Sequence, residues 1–199
     1  MITVIDYHMN NLRSIENTLR RLDHEVRVTS DCDDVRSADK LILPGVGAFP
    51  DAMHNLDELG LTETVIEKVT SGTPILGICL GMHLLFSESE EFGTNRGLGL
   101  IEGRVRRLTG GVHIPHMGWN QLHLKRENPI LEDVEEGSFV YFVHSYYAAP
   151  DDEDIVVAVT DYGTDFPSIV ASGNVWATQF HPEKSQRVGE HILNSFAHS

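Results

Sequence analysis

The sequence predicts an α/β fold: a mostly parallel central sheet covered by helices on both faces, with an antiparallel extension in the second half. Three observations predict it. Short apolar runs alternate with helical periodicity from residue 2 to residue 86. The apolar run over residues 73–78 ends at Gly77-Ile78-Cys79-Leu80-Gly81, and a second apolar run follows. Beyond Leu98 the pattern shortens to strand-like segments separated by turns.

Residues 2–5 read as the first strand, and residues 6–11 as a loop into a helix with Leu12, Ile15, Leu19 and Leu22 on one face. A second strand is expected at 25–28, then an acidic connection at 31–39, then a buried strand at 41–43. Helices follow at 49–59 and 61–70, and the fourth strand at 73–78 leads into a helix running to Phe86. In the second half, strands are expected at 98–101, 104–108, 121–125, 139–147, 155–160, 169–172 and 175–180. Residues 114–120 read as a loop dense in polar and aromatic groups, and Gly173-Asn174 as a hairpin turn. Ser185 is placed to cap the last helix, whose apolar face is Val188, Ile192 and Phe196. With no repeat or linker, residues 1–199 are expected to form one domain.

A net charge of −15 argues against a nucleic-acid partner, because phosphate recognition needs a basic patch. No apolar run is long enough to span a bilayer, and the start Met1-Ile2-Thr3-Val4-Ile5-Asp6 lacks a basic leader, so a cytoplasmic location is expected. Two cysteines, Cys32 and Cys79, are too few for a disulfide scaffold. No paired Cys/His spacing suggests a metal site, and no cofactor is expected.

Chemistry concentrates at Cys79. A residue in so sharp a strand-to-helix turn needs small neighbours, which Gly77 and Gly81 supply, and the turn would lift the sulfur above the sheet. Taken alone, the same cysteine reads more readily as a small buried core residue than as a nucleophile. The pair His181-Pro182-Glu183 shifts the balance, since a nucleophilic thiol needs a base and the base an orienting carboxylate. Pro44-Gly45-Val46-Gly47 follows a strand and alone reads equally as a plain turn; beside an elbow cysteine, its two glycines favour backbone N–H groups turned toward a developing oxyanion.

These motifs together resemble the class I, triad-type glutamine amidotransferases. Pro115-His116-Met117-Gly118-Trp119-Asn120, Tyr141-Phe142-Val143-His144-Ser145-Tyr146 and Gln179-Phe180-His181-Pro182-Glu183-Lys184-Ser185 resemble, within them, the glutaminase subunits of imidazole glycerol phosphate synthase. The resemblance implies a flavodoxin-like three-layer sandwich and glutamine hydrolysis through Cys79, His181 and Glu183. It implies oxyanion donors on the backbone of Val46 or Gly47 and of Leu80. It implies substrate contacts from Glu91, Ser145 and Tyr146, and from His83 where the family has Gln. His83 lies one helical turn after Cys79, where a charged imidazole would favour thiolate. A (β/α)₈ cyclase subunit of the HisF type is the implied partner. It would use the ammonia to form imidazole glycerol phosphate and an aminoimidazole carboxamide nucleotide in histidine biosynthesis. Asn11, Met117, Trp119, Asn120, Tyr141 and Lys184 are the implied interface, aromatics ringed by polar groups. The residues alone also allow core packing for Trp119 and Tyr141, and a solvated charge for Glu91. Two alternatives share the motifs: a glutaminase feeding a sugar-modifying amidotransferase, and a non-catalytic scaffold subunit. At His8 and Asn10 this chain departs from the family's glycines.

Overall fold

A computed structural model describes residues 1–9 and 11–199; Asn10 lies outside the described residues. The first half alternates as the periodicity predicts. It runs β1 (Ile2–Ile5), α1 (Leu12–Arg21), β2 (Val26–Thr29), α2 (Cys32–Arg36), β3 (Lys40–Leu43), α3 (Phe49–Glu58), α4 (Leu61–Thr70), β4 (Ile75–Ile78) and α5 (Leu80–Leu85). Short strands follow: β5 (Phe86–Ser89), β6 (Asn95–Arg96), β7 (Ile101–Arg107), β8 (His116–Gln121), β9 (His123–Leu124), β10 (Phe139–His144) and β11 (Tyr146–Pro150). The chain closes with β12 (Val156–Asp161), β13 (Asp165–Ser172), β14 (Val175–Thr178), a 3-10 turn at Pro182–Lys184 and α6 (Gln186–His198).

The main sheet has the order β2-β1-β3-β4-β14-β13-β12-β9. Its first five strands are mutually parallel, and β13, β12 and β9 add an antiparallel flank. A four-stranded sheet, β11-β7-β5-β6, and a two-stranded ribbon, β10-β8, stand beside it.

Alternation along the parallel strands builds two cores, one on each face. Ile2, Val4, Ile42, Leu76 and Ile78 pack with Ile15 and Leu19 of α1 and Ile192, Leu193 and Phe196 of α6. Ile5, Leu41, Leu43, Ile75 and Ala177 pack with Leu56 of α3, Val65 of α4 and Leu85 of α5. Strands buried on both faces read as continuous apolar runs, which is why Leu41-Ile42-Leu43 and Ile75-Leu76 were legible. The outcome is the expected three-layer sandwich.

Four expectations need correction. The helix after Cys79 does not run to Phe86. It stops at Leu85, because the backbone N–H groups of Leu98 and Leu100 take the Leu84 and Leu85 carbonyls at 2.8 and 2.9 Å. For the same reason residues 98–100 are a docked loop rather than a strand. Residues 116–120, expected as loop, form most of β8; Trp119 pairs with Tyr141 and Gly118 with Phe142 across the ribbon. The expected strand at 139–147 breaks at Ser145, where the chain leaves the ribbon for the four-stranded sheet.

Strand order decides where chemistry can gather. β3, β4 and β14 are adjacent and parallel, so the Pro44 loop, Cys79 and His181 all emerge beyond their carboxyl ends, where sites form in such sheets. Two glycines permit the closest approaches there. A Cβ on Gly81 would run into the Leu43 carbonyl, and one on Gly189 would run into the Pro182 carbonyl. The elbow therefore seats backbone against backbone on the end of β3, and α6 presses in the same way on the His181-Pro182-Glu183 turn.

Candidate active site

Cys79 sits at the strand-to-helix turn with φ 54° and ψ −106°, a backbone conformation that costs energy for any residue bearing a Cβ. Its amide is tied to the Thr178 carbonyl at 2.8 Å, which fixes the turn against β14. The sulfur is 3.8 Å from the Val143 carbonyl oxygen and 3.9 Å from Gln179 Nε2.

His181 is buried, and its Nδ1 lies 2.8 Å from Glu183 Oε1. A carboxylate oxygen only accepts, so Nδ1 carries the proton and Nε2 is left toward the thiol. That Nε2 is buried and has no hydrogen-bond partner among the described residues. Burial pulls the imidazole pKa down, but attraction to the nearby Cys79 and the hydrogen-bonded contact with Glu183 outweigh burial and push it up to about 10. Asn11 Nδ2 donates to the same Glu183 oxygen. The turn is held from below: His181 N donates to the Tyr141 carbonyl at 3.0 Å, and Ser185 Oγ donates to the His181 carbonyl at 2.7 Å. Tyr141 N donates to that same Ser185 hydroxyl at 3.0 Å. The Ser185 hydroxyl, expected to cap the last helix, is thus engaged in fixing the base.

A cavity of about 330 Å³ opens over Cys79. It is lined by Val46, Gly47, Leu80, His83, Glu91, Ser145 and Tyr146, so every residue expected to hold the oxyanion or the substrate reaches one place. Pro115, Val143 and His144 line it as well and were missed. Val143 and His144 were hidden inside an apparently uniform apolar strand. Glu91 Oε2 accepts from the Phe49 amide at 2.9 Å; burial raises its pKa, the Phe49 hydrogen bond lowers it and Asp51 raises it, for a net rise.

His83 is buried, and its Nε2 lies 2.8 Å from Gln179 Oε1. Burial drives its pKa down to about 4, against a smaller upward pull from Gln179. The expected charged imidazole beside the thiol is therefore replaced by a neutral one. Tyr7 is a further residue the sequence did not flag. Its buried hydroxyl donates to the Pro44 carbonyl and anchors the loop that carries Val46 and Gly47. Burial, and then the nearby Cys79, push its pKa far above the usual phenol range.

The expected interface residues divide. Met117 and Trp119 are exposed, as is Phe139, which was not singled out. Trp119 and Tyr141 meet edge to face at 5.9 Å, and Lys184 Nζ lies 6.0 Å from the Tyr141 ring centroid. Asn120 is half-buried and Asn11 reaches inward to Glu183. His8, where the family has Gly, adopts φ 65°, a region glycine enters freely.

A family model described as "Glutamine amidotransferase class-I" matches residues 3–199. The chain is 52% identical over 203 residues to an "Imidazole glycerol phosphate synthase subunit HisH" of Geobacillus sp. (strain WCH70), covering 99% of this chain and 96% of that protein. It is 53% identical over 194 residues to a protein of the same name from Aquifex aeolicus (strain VF5), covering 97% and 94%. Among solved structures, one titled "Crystal structure of glutamine amidotransferase" superposes with a TM-score of 0.78 at 22% identity, covering 99% of this chain and 100% of that one; at that identity the likeness is of fold. A match along nearly the full length of both sequences places this chain in the class-I glutamine amidotransferases, among the HisH subunits.

Proposed function

We propose that the chain hydrolyses the side-chain amide of L-glutamine and supplies the ammonia to a HisF-type cyclase for imidazole glycerol phosphate formation. The observation that carries this is the buried His181–Glu183 pair, at 2.8 Å, next to a cavity floored by Cys79. His181, pushed up to about 10, keeps its proton at neutral pH, and this suits a thiolate–imidazolium pair. The Cys79 sulfur attacks the amide carbonyl carbon, and the electron pair of the C=O bond moves to oxygen. Backbone N–H groups of Val46 or Gly47 and of Leu80 meet that charge. The oxyanion collapses, the C–N bond breaks, and His181 Nε2 gives its proton to the departing nitrogen, which leaves as ammonia. A glutamyl thioester remains on Cys79. His181, now neutral, takes a proton from water as its oxygen attacks the thioester carbonyl, and the thiolate leaves with glutamate released. Glu183 holds the imidazole in the Nδ1–H form throughout and stabilises its charge.

Glu91 and the Ser145–Tyr146 backbone serve the amino-acid end of glutamine, and neutral His83 offers a hydrogen-bonding edge in place of the family's Gln. The exposed Met117, Trp119 and Phe139, with Tyr141 and Lys184, form the docking face for the cyclase. The test is glutamine hydrolysis with and without a HisF-type partner and its nucleotide ligand, alongside labelling by a glutamine-like chloroketone. Labelling at Cys79 and partner-dependent ammonia release are expected. Labelling elsewhere, or none, overturns the reading.

A further inference from the structure

Two histidines outside the triad, His116 and His144, are buried side by side and linked into a chain with one direction. The chain starts at Asn120. The Gln121 amide donates to Asn120 Oδ1 at 2.8 Å, and Asn120 Nδ2 donates to the Asp161 carbonyl at 2.9 Å. These two bonds fix which end of the amide is which. Asn120 Nδ2 also lies 3.3 Å from His116 Nε2, and an NH₂ group only donates, so Nε2 accepts and the proton of neutral His116 is on Nδ1. His116 Nδ1 then donates to His144 Nε2 at 2.9 Å, which places the His144 proton on Nδ1 as well. That Nδ1–H donates to the Tyr146 carbonyl at 2.8 Å.

Aromatic packing fixes both rings, which lie at 68° to each other. His116 is stacked between Phe142 at 4.8 Å and Tyr162 at 4.0 Å, and His144 meets Phe166 at 4.9 Å. The inner end of the chain is the strand break at Ser145, where the backbone turns from the ribbon into the four-stranded sheet and lines the cavity over Cys79. The outer end is on β8, the strand that presents Met117 and Trp119 to solvent.

We propose that Asn120, His116 and His144 form a directional positioning relay that sets the Tyr146 carbonyl, and with it the Ser145–Tyr146 wall of the glutamine pocket. The inference rests on the reading of that cavity as the glutamine site. His116 and His144 touch neither the sulfur nor the reacting amide in this scheme; they act through the wall.

The test is steady-state hydrolysis of L-glutamine by the complex at saturating HisF-type partner, for His144→Leu, His144→Gln, Asn120→Ala and the Asn120→Ala/His144→Leu double variant. His144→Leu is expected to raise KM about tenfold, the worth of one lost hydrogen bond, with a smaller change in kcat. His144→Gln keeps one donor and one acceptor and should restore most of the KM. Asn120→Ala should raise KM in the wild-type background and add nothing in the His144→Leu background, because the relay is already cut. Effects that multiply independently, or KM values equal to wild type, overturn the relay. A ¹⁵N-resolved imidazole spectrum of the wild-type chain gives a second readout that needs no variant to fold. Both rings should be in the Nδ1–H form, and an Nε2–H form at either ring overturns the assigned direction. A wild-type complex that fails to hydrolyse glutamine would instead remove the functional reading beneath it.

Discussion

His83 Nε2 donates to Gln179 Oε1 at 2.8 Å, and the other end of that amide lies 3.9 Å from the Cys79 sulfur. The contact orients Gln179 so that its NH₂ group, rather than its oxygen, meets the site of negative charge. His83→Gln restores the residue type the family carries and can still reach Gln179. The expected outcome is a several-fold change in glutamine KM with a stability change within about 1.5 kcal/mol, the range of one exchanged hydrogen bond. Steady-state kinetics and denaturant unfolding check it; an unchanged KM would refute it.

The raised pKa of His181 depends on the sulfur. Burial alone lowers it, and of the forces that lift it the largest come from Cys79. Cys79→Ala should therefore drop the His181 pKa well below about 10, read by an NMR titration of the imidazole, while abolishing turnover. A histidine still titrating near 10 without its sulfur would assign the lift to Glu183 instead.

Acid should destabilise the fold through three other histidines. Burial holds His83 and His116 down to about 4 and His144 to about 3, so all three remain neutral in the folded chain. Unfolded, each binds a proton near 6.5, the ordinary value for an imidazole. The unfolded state then holds more protons, so stability is unaffected by these groups above about pH 6.5 and falls as pH drops toward 3 to 4. Denaturant unfolding at pH 7 and pH 5 should show the loss, smaller in His83→Gln; equal stability at the two values would exclude it.

Trp119 stands clear of the core, half exposed, braced edge to face by Tyr141 at 5.9 Å. Trp119→Ala should weaken cyclase binding by roughly 30-fold, the scale of an interface hot spot, with the melting temperature of the isolated chain nearly unchanged. Isothermal calorimetry of the pair checks it, and wild-type affinity would move the docking face elsewhere.

Much of the architecture was legible because parallel strands and their helices carry it in apolar periodicity. The site was legible where chemistry forces a residue type at a turn, as at Cys79 and at His181-Pro182-Glu183. What stayed hidden was polar material doing structural work. β8 read as a loop because its buried inward residue is a histidine, whose burial depends on hydrogen bonds to Asn120 and His144 from other positions. The early end of α5 depended on carbonyls captured by residues 98–100, a tertiary event with no local signal. Tyr7 and Gln179 reach the site from strand ends where a polar residue looks unremarkable in sequence, and only the fold shows that Tyr7 anchors the Pro44 loop.

The bare backbone contact at Gly189 makes the last helix a lever on the imidazole. A methyl group at that position has nowhere to go except against Pro182, so its first effect would be to tilt the ring one residue away. Inactivating changes can thus arise behind the base, in a helix that lines no part of the cavity over Cys79. A survey of loss-of-function variants should find position 189 as intolerant as the residues that handle the substrate.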